Sequence, residues 1–466
     1  MSSVAHDDVD KGRAWIILMT VYCLVIFQCT TLYMNGLYLA VLMDLYNEDL
    51  TKTSMIGALN SALLNLMGPV VSVFMDIYSC RTCMFVGGIL LSISYFTSFF
   101  SNSIDVYIVT IGIIGGIGNA YGAMPQSVFI AYNFEKMRNI ALSFREVLVG
   151  VGMFIASPLL FWLIETFGIN GSFLIVSGIN LQICVGSLIC WPNSKERNLK
   201  RMKTKQTNED RSTFTTIYQK LKSSIKLSLI LLKNRQLVLF MLSTLSWNFL
   251  LSACSLHLPR YMVTRGFGDA SVVSVMTVFS ISNTLGRLCA AATVGSGGID
   301  SNILQIGMLG VLSFSTILFP LYGQWSYSGF VLAVLSGFYC GGPNALLTPI
   351  TVGLIGIEKM SSGYGLLIFF CGIGVLTGPP VLAIIYSWTD SYDYSFMTIG
   401  FVVLLGMFSS LMAFSKADSP ENTNIEIDVA QNDNGVMSTL LDDQEPVEVA
   451  LLDKNKREDL QIDSQV

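Results

Sequence analysis

Gly150-Val151-Gly152-Met153-Phe154-Ile155-Ala156-Ser157-Pro158 aligns without gaps with Gly372-Ile373-Gly374-Val375-Leu376-Thr377-Gly378-Pro379-Pro380. The same tripeptide stands upstream of each copy, Glu135-Lys136-Met137 before the first and Glu358-Lys359-Met360 before the second. The tripeptides are offset by 223 residues and the glycine stretches by 222, so one gap reconciles them. Shared motifs in a shared order mark a duplicated chain, with the two stretches as equivalent helices of two halves. Glycines let neighbouring helices approach closely. Pro158 and Pro380 each weaken the helix four residues back. Such helices suit sliding or bending between two states, and equally a static tight packing.

Composition says what surrounds those helices. The chain has 466 residues, 52% apolar and only 13% charged, against roughly 25% charged in an ordinary soluble domain. A disordered chain, a nucleic-acid-binding protein and a disulfide-stapled secreted domain are excluded. The 27 Lys and Arg are unevenly placed: seven in 1–191, twelve in 192–236, four in 237–415 and four in the tail. Thirteen of the 32 acids lie in 416–466. The ten cysteines fall mostly in apolar runs and read as small packing residues; Cys80 and Cys83 form a CxxC in an inner loop, the form of a metal or redox site but with two ligands where a closed metal site needs four. No metal cluster, nucleotide loop or nucleophile constellation is visible, and two histidines leave little acid–base chemistry. An enzyme is not expected, nor is a cofactor or a metal.

Apolar runs of about 20 residues can cross a bilayer, and in lipid only a helix satisfies the backbone. Twelve such runs are expected, at 15–39, 55–75, 84–101, 106–131, 140–164, 171–191, 237–259, 270–293, 302–321, 329–350, 362–386 and 395–414. The expected organisation is therefore an N-terminal segment 1–14, a six-helix half 15–191, a basic linker 192–236, a second half 237–414 and an acidic disordered tail 415–466. With the N-terminus inside, the inner connections carry Lys11, Arg13, Arg81, Lys136, Arg138, the linker cations and Lys359, and the outer ones only Lys52, Arg260 and Arg265. Both termini are then cytoplasmic. The polar first fourteen residues and the long first apolar run do not read as a cleavable signal. The linker reads as a solvated loop lying along anionic lipid. The final Ser464-Gln465-Val466 has the form of a PDZ ligand.

Several motifs together resemble the monocarboxylate transporter family of the major facilitator superfamily. Asp10-Lys11-Gly12-Arg13-Ala14-Trp15 is similar to its entry to span 1. Gly68-Pro69, Tyr78, Arg81 and Gly87-Gly88 follow its pattern through spans 2 and 3, and Pro125 with Phe134 to Ala141 its link between spans 4 and 5. Ser157-Pro158 with Phe167 to Leu174, then Gly356, Glu358-Lys359, Gly365-Leu366 and Gly378-Pro379-Pro380, continue the likeness over about residues 10–414. The resemblance implies an all-α membrane protein with the major facilitator fold, twelve transmembrane helices in two halves that rock about a central site. It implies a plasma-membrane carrier of a small organic acid or zwitterion, in some members partnered by a single-span immunoglobulin-type glycoprotein.

Ionisable side chains inside the membrane are the informative ones, because an unpaired charge at mid-bilayer costs at least ~2.5–3.5 kcal/mol. Arg287, in Asn283-Thr284-Leu285-Gly286-Arg287, is the leading candidate. Its guanidinium holds a carboxylate by two parallel hydrogen bonds and keeps its charge. On sequence alone this helix lacks a countercharge that a substrate anion would supply, and the matching arginine in the family anchors substrate. Asn283, Tyr38, Asn35 and Tyr364 complete the expected substrate-binding set. The family's acid four residues before the arginine is Asn283 here, and its span-1 lysine is absent. An amide cannot titrate, so proton symport by the usual family route is not expected. Arg145 and Glu146 stand about two turns into span 5. Neighbours on a helix diverge by about 100°, so they need not pair with each other. They are the candidates for coupling or gating, with Asp76 and Arg81 at helix ends. The alternative to a transporter is a transport-inactive sensor or scaffold signalling through its tail.

Overall fold

The computed structural model describes residues 9–46, 50–205 and 226–415. The acidic tail with its PDZ-like Ser464–Val466, and positions 206–225 of the linker, lie outside the described residues. Among the described residues there is no strand. The helices are α1 (Arg13–Tyr46), α2 (Leu50–Leu66), α3 (Gly68–Ile77), α4 (Cys80–Phe99), α5 (Ile104–Asn133), α6 (Arg138–Ile189) and α7 (Ser194–Lys205). In the second half they are α8 (Arg235–Thr264), α9 (Asp269–Ser296), α10 (Ser301–Ile317), α11 (Ser328–Ile355), α12 (Met360–Thr389) and α13 (Tyr392–Phe414).

These helices make twelve crossings among the described residues. Nine are long and apolar enough to span alone. A tenth is α2 with α3, bent by 48° where Pro69 follows Gly68 at the start of α3. The 52-residue α6 supplies two of the twelve, because Gly168 sits within it at φ 72°, ψ 176°. That backbone conformation favours glycine. The last is α10, shorter at 17 residues.

The duplicated glycines occupy equivalent contacts. In the first half, a Cβ on Gly150 would strike Thr284 of α9, in the opposite half, and one on Gly152 would strike Cys29 of α1 in its own half. In the second half, one on Gly372 would strike Asn65 of α2, again across the halves, and one on Gly374 the Leu245 carbonyl of α8. Each copy thus packs one glycine across the interface and the next within its half, as a pseudo-twofold arrangement requires.

Within the first half, buried amides form a chain. Gln126 Nε2 donates to Gln28 Oε1 (2.8 Å), Gln28 Nε2 to the Asn119 carbonyl (2.8 Å), Asn119 Nδ2 to Asn60 Oδ1 (3.1 Å) and Asn60 Nδ2 to the Ile111 carbonyl (2.7 Å). The last carbonyl belongs to a π-helical stretch, Ile108–Ile114, inside α5. Ser94 donates to the Thr110 carbonyl of the same stretch at 2.9 Å. The wider π turn breaks the regular ladder, and side chains of α2 and α4 take up two of its carbonyls.

The linker is not a free loop where it begins. Asn193 Oδ1 accepts from the Glu196 amide at 2.8 Å, starting α7. Glu196 is buried and accepts from the Cys80 amide at the start of α4 (3.2 Å), a position where the helix dipole favours an anion. Lys195 reaches Glu135 at 3.3 Å. The same end of the bundle carries Asp10, whose carboxylate accepts from the amides of Glu135 and Lys136 (3.2 and 2.9 Å). It is called the linker end below.

The glycine contacts make a direct test. Replacing Gly374 with Val should reduce the monodisperse yield in detergent and lower its melting temperature. Helix backbone cannot retreat as a side chain can, and overpacking costs typically ~1–3 kcal/mol. Gly307→Val, at a position with nothing within 4 Å, should leave both unchanged.

Candidate functional site

Arg145 and Glu146 lie seven and eight residues along α6, about 10 Å in from its linker end at 1.5 Å per residue. Arg287 of α9 faces them from the other half. One oxygen of Glu146 accepts from Arg145 Nη1 and the other from Arg287 Nη1, the latter at 2.9 Å. Arg287 Nη1 also approaches the Glu146 carbonyl at 3.3 Å, and its Nε donates to Asn283 Oδ1 at 3.0 Å. Arg145 Nη2 donates to the Ala123 carbonyl of α5 at 3.2 Å. Both arginines are 7% exposed.

The sequence left open whether Arg145 and Glu146 pair, and they do. One sequence expectation is corrected. Arg287 does not lack a countercharge, because an acid from the opposite half supplies one. The count remains unbalanced: two guanidiniums share one carboxylate, leaving a surplus of one positive charge. Arg145 Nε is buried with no acceptor among the described residues.

The rest of the expected set divides. Tyr364 of α12 belongs with the cluster: its hydroxyl meets Ser127 across the halves at 3.3 Å, and Arg145 and Glu146 both act on it electrostatically. Asn283 belongs through its bond to Arg287. Tyr38 and Asn35 turn to other partners in the first half. The Tyr38 hydroxyl meets Ser172 at 2.9 Å and its ring stacks on Phe173 at 4.6 Å. Asn35 Oδ1 accepts from the Tyr95 hydroxyl at 2.5 Å. Cys29 and Tyr33 of α1 instead come within electrostatic reach of Glu146 and Arg287. His257, at the far end, hydrogen-bonds the Pro379 carbonyl at 3.0 Å.

Toward the linker end the halves are tied in layers. Ser143 donates to the Ala345 carbonyl at 3.0 Å. Asp76, at the end of α3, accepts from Ser361 (2.6 Å) and Ser362 (3.3 Å) in the first turn of α12. An acid at a helix N-terminus is favoured by the dipole as well as by the hydroxyls. Arg81 lies 4.2 Å over the Trp191 ring in its own half, a cation–π contact. Asp76, with the Arg145–Glu146–Arg287 cluster, therefore bridges the halves, whereas Arg81 is held within one.

The described helices form a bundle with a charged cluster buried between its two halves. A family model of the Major Facilitator Superfamily matches residues 21–322, and the chain belongs to that superfamily. It is 26% identical to monocarboxylate transporter 2 of Mus musculus and 24% identical to monocarboxylate transporter 12 of Xenopus laevis, each over 85% of this chain and 83% and 87% of theirs. Its fold matches that of the E. coli fucose:proton symporter with a TM-score of 0.67 at 11% identity, over 86% of this chain and 99% of that one. It matches the human organic anion transporter MFSD10 at 0.62 and 15%, over 86% and 100%. The protein is a multi-pass membrane transporter and not an enzyme.

The charge count predicts an order of stability. Removing one partner of a buried ion pair costs typically ~3–5 kcal/mol when a charge is left uncompensated. Glu146→Ala leaves two facing guanidiniums, whereas Arg287→Met leaves Arg145 and Glu146 as a neutral pair. Melting in detergent should fall further for the first than for the second, and the reverse order would contradict the arrangement.

Proposed function

We propose that this protein carries a small organic anion or zwitterion with one carboxylate across the plasma membrane by alternating access. Arg287 holds the carboxylate, with Asn283 fixing the guanidinium and Tyr364 beside the site. The observation that supports this most is the surplus positive charge, buried and shared between the halves. One carboxylate from solution neutralises it, and a charge-assisted hydrogen bond is worth ~1.5–3 kcal/mol. The linker end is cytoplasmic, following the excess of Lys and Arg there, and both termini are inside.

Coupling takes a route other than an acid on the same helix as the arginine. Asn283 stands at that place, and the acid that meets Arg287 comes from α6.

The carboxylate site has its own test. Counterflow in proteoliposomes, screened over monocarboxylates, aromatic amino acids, creatine, carnitine and thyroid hormones, should find a carboxylate-bearing substrate. Arg287→Ala should lower its counterflow by about 100-fold, as expected for two lost charge-assisted hydrogen bonds. Undiminished counterflow in Arg287→Ala would remove Arg287 from the site. Silence over the whole panel would favour a sensor or scaffold.

A further inference from the structure

Glu146 is poised between two cations that belong to different halves. Its two oxygens are divided between them, one on Arg145 and one on Arg287. That is the geometry a carboxylate from solution would adopt on the same pair. We infer that Glu146 stands in for the transported carboxylate on Arg287 when the site is empty. Its return to Arg287 is what allows the unloaded carrier to reset, so that the protein performs net transport and not only exchange. This rests on the carboxylate reading given above.

A desolvated guanidinium without an anion opposes closure, and two that face each other oppose it more. Closing the linker end brings Arg145 and Arg287 onto opposite oxygens of one carboxylate. With Glu146 ionised, that closure joins two cations through an anion. Without it, closure sets two desolvated guanidiniums against each other, and only an anion from solution can bridge them. The other titratable groups facing the cluster are Cys29 and Tyr33 from α1, Cys340 from α11 and Tyr364 from α12, and none of these is a carboxylate. Asp76, the interface acid nearer the linker end, is engaged by Ser361 and Ser362.

The same geometry explains how loading opens the gate. A substrate carboxylate that takes Arg287 leaves Glu146 to Arg145. Each guanidinium then keeps one anion, and the charged bond between the halves is gone. The halves part at the linker end with both cations neutralised. After release, Arg287 is bare until Glu146 reaches it again. Glu146 is thus a positioning residue for the transport cycle, acting through the arginine that touches the substrate.

The test compares two fluxes of radiolabelled pyruvate in proteoliposomes of the full-length protein. Exchange is uptake into vesicles loaded with unlabelled pyruvate, and net flux is uptake into empty vesicles. Glu146→Gln should raise the ratio of exchange to net flux at least ~10-fold, whatever exchange it retains. Glu146→Asp, which keeps a carboxylate, should stay within a few-fold of the wild type. Arg145→Gln/Glu146→Gln removes the repulsion between the arginines but still deprives Arg287 of its stand-in, so it keeps the raised ratio even where the single variant folds poorly. An unchanged ratio in the glutamine variants, or an equal rise in Glu146→Asp, overturns the inference while leaving Arg287 as the carboxylate site. Pyruvate exchange that survives Arg287→Ala counts against the carboxylate reading itself and takes the inference with it.

Discussion

One carboxylate shared by two buried guanidiniums across the seam between the halves is the constraint on which the rest of the structure depends. Burying Arg145 and Arg287 without Glu146 would set two cations together where no water can hydrate them. Burying them with Glu146 reduces the excess to a single charge, which is tolerable and which a solute can cancel. An apolar core would be more stable than such a network. In the proposed cycle the network is bistable, its anion sitting on one arginine or on both.

The surrounding fold makes that bistability possible. Glycines at the interface let α6 approach α9 and let α12 approach α2, so polar bonds across the seam are short and few. Within the first half the amide chain from Gln126 to the Ile111 carbonyl ties α1, α2 and α5 into one body. A fully satisfied buried network of that kind stiffens what it joins. In the proposed cycle the halves move as units, and the polar bonds that must exchange are the charged cluster, the Asp76–serine contact, and the Ser143–Ala345 and Ser127–Tyr364 bonds.

Much of the fold was legible in the sequence because lipid leaves the backbone few choices. Twelve apolar runs read as twelve crossings, and the Gly-x-Gly repeat announced the two halves before any coordinates. The details that escaped are those that apolarity does not encode. The π stretch in α5 depends on Asn60 and Ser94 from other helices. The docking of α7 depends on Glu196 meeting the start of α4, whereas charge counting saw only a basic loop. The candidate site was half legible. Arg287, Asn283, Arg145, Glu146 and Tyr364 were singled out by charge, polarity or resemblance. That the acid of one half pairs with the arginine of the other is a tertiary fact, invisible to spacing along either helix. Tyr38 and Asn35 were chosen as polar groups on a cavity-lining helix, but α1 turns them toward Ser172 and Tyr95, while Cys29 and Tyr33 face the charges.

The account stands on a competition between Glu146 and a substrate carboxylate for Arg287. A density map of the protein in lipid nanodiscs, determined with and without saturating pyruvate, tests it most directly. The prediction is that pyruvate occupies Arg287 while Glu146 remains on Arg145 alone. An Arg287–Glu146 bond that persists unchanged with pyruvate bound elsewhere in the bundle would contradict it.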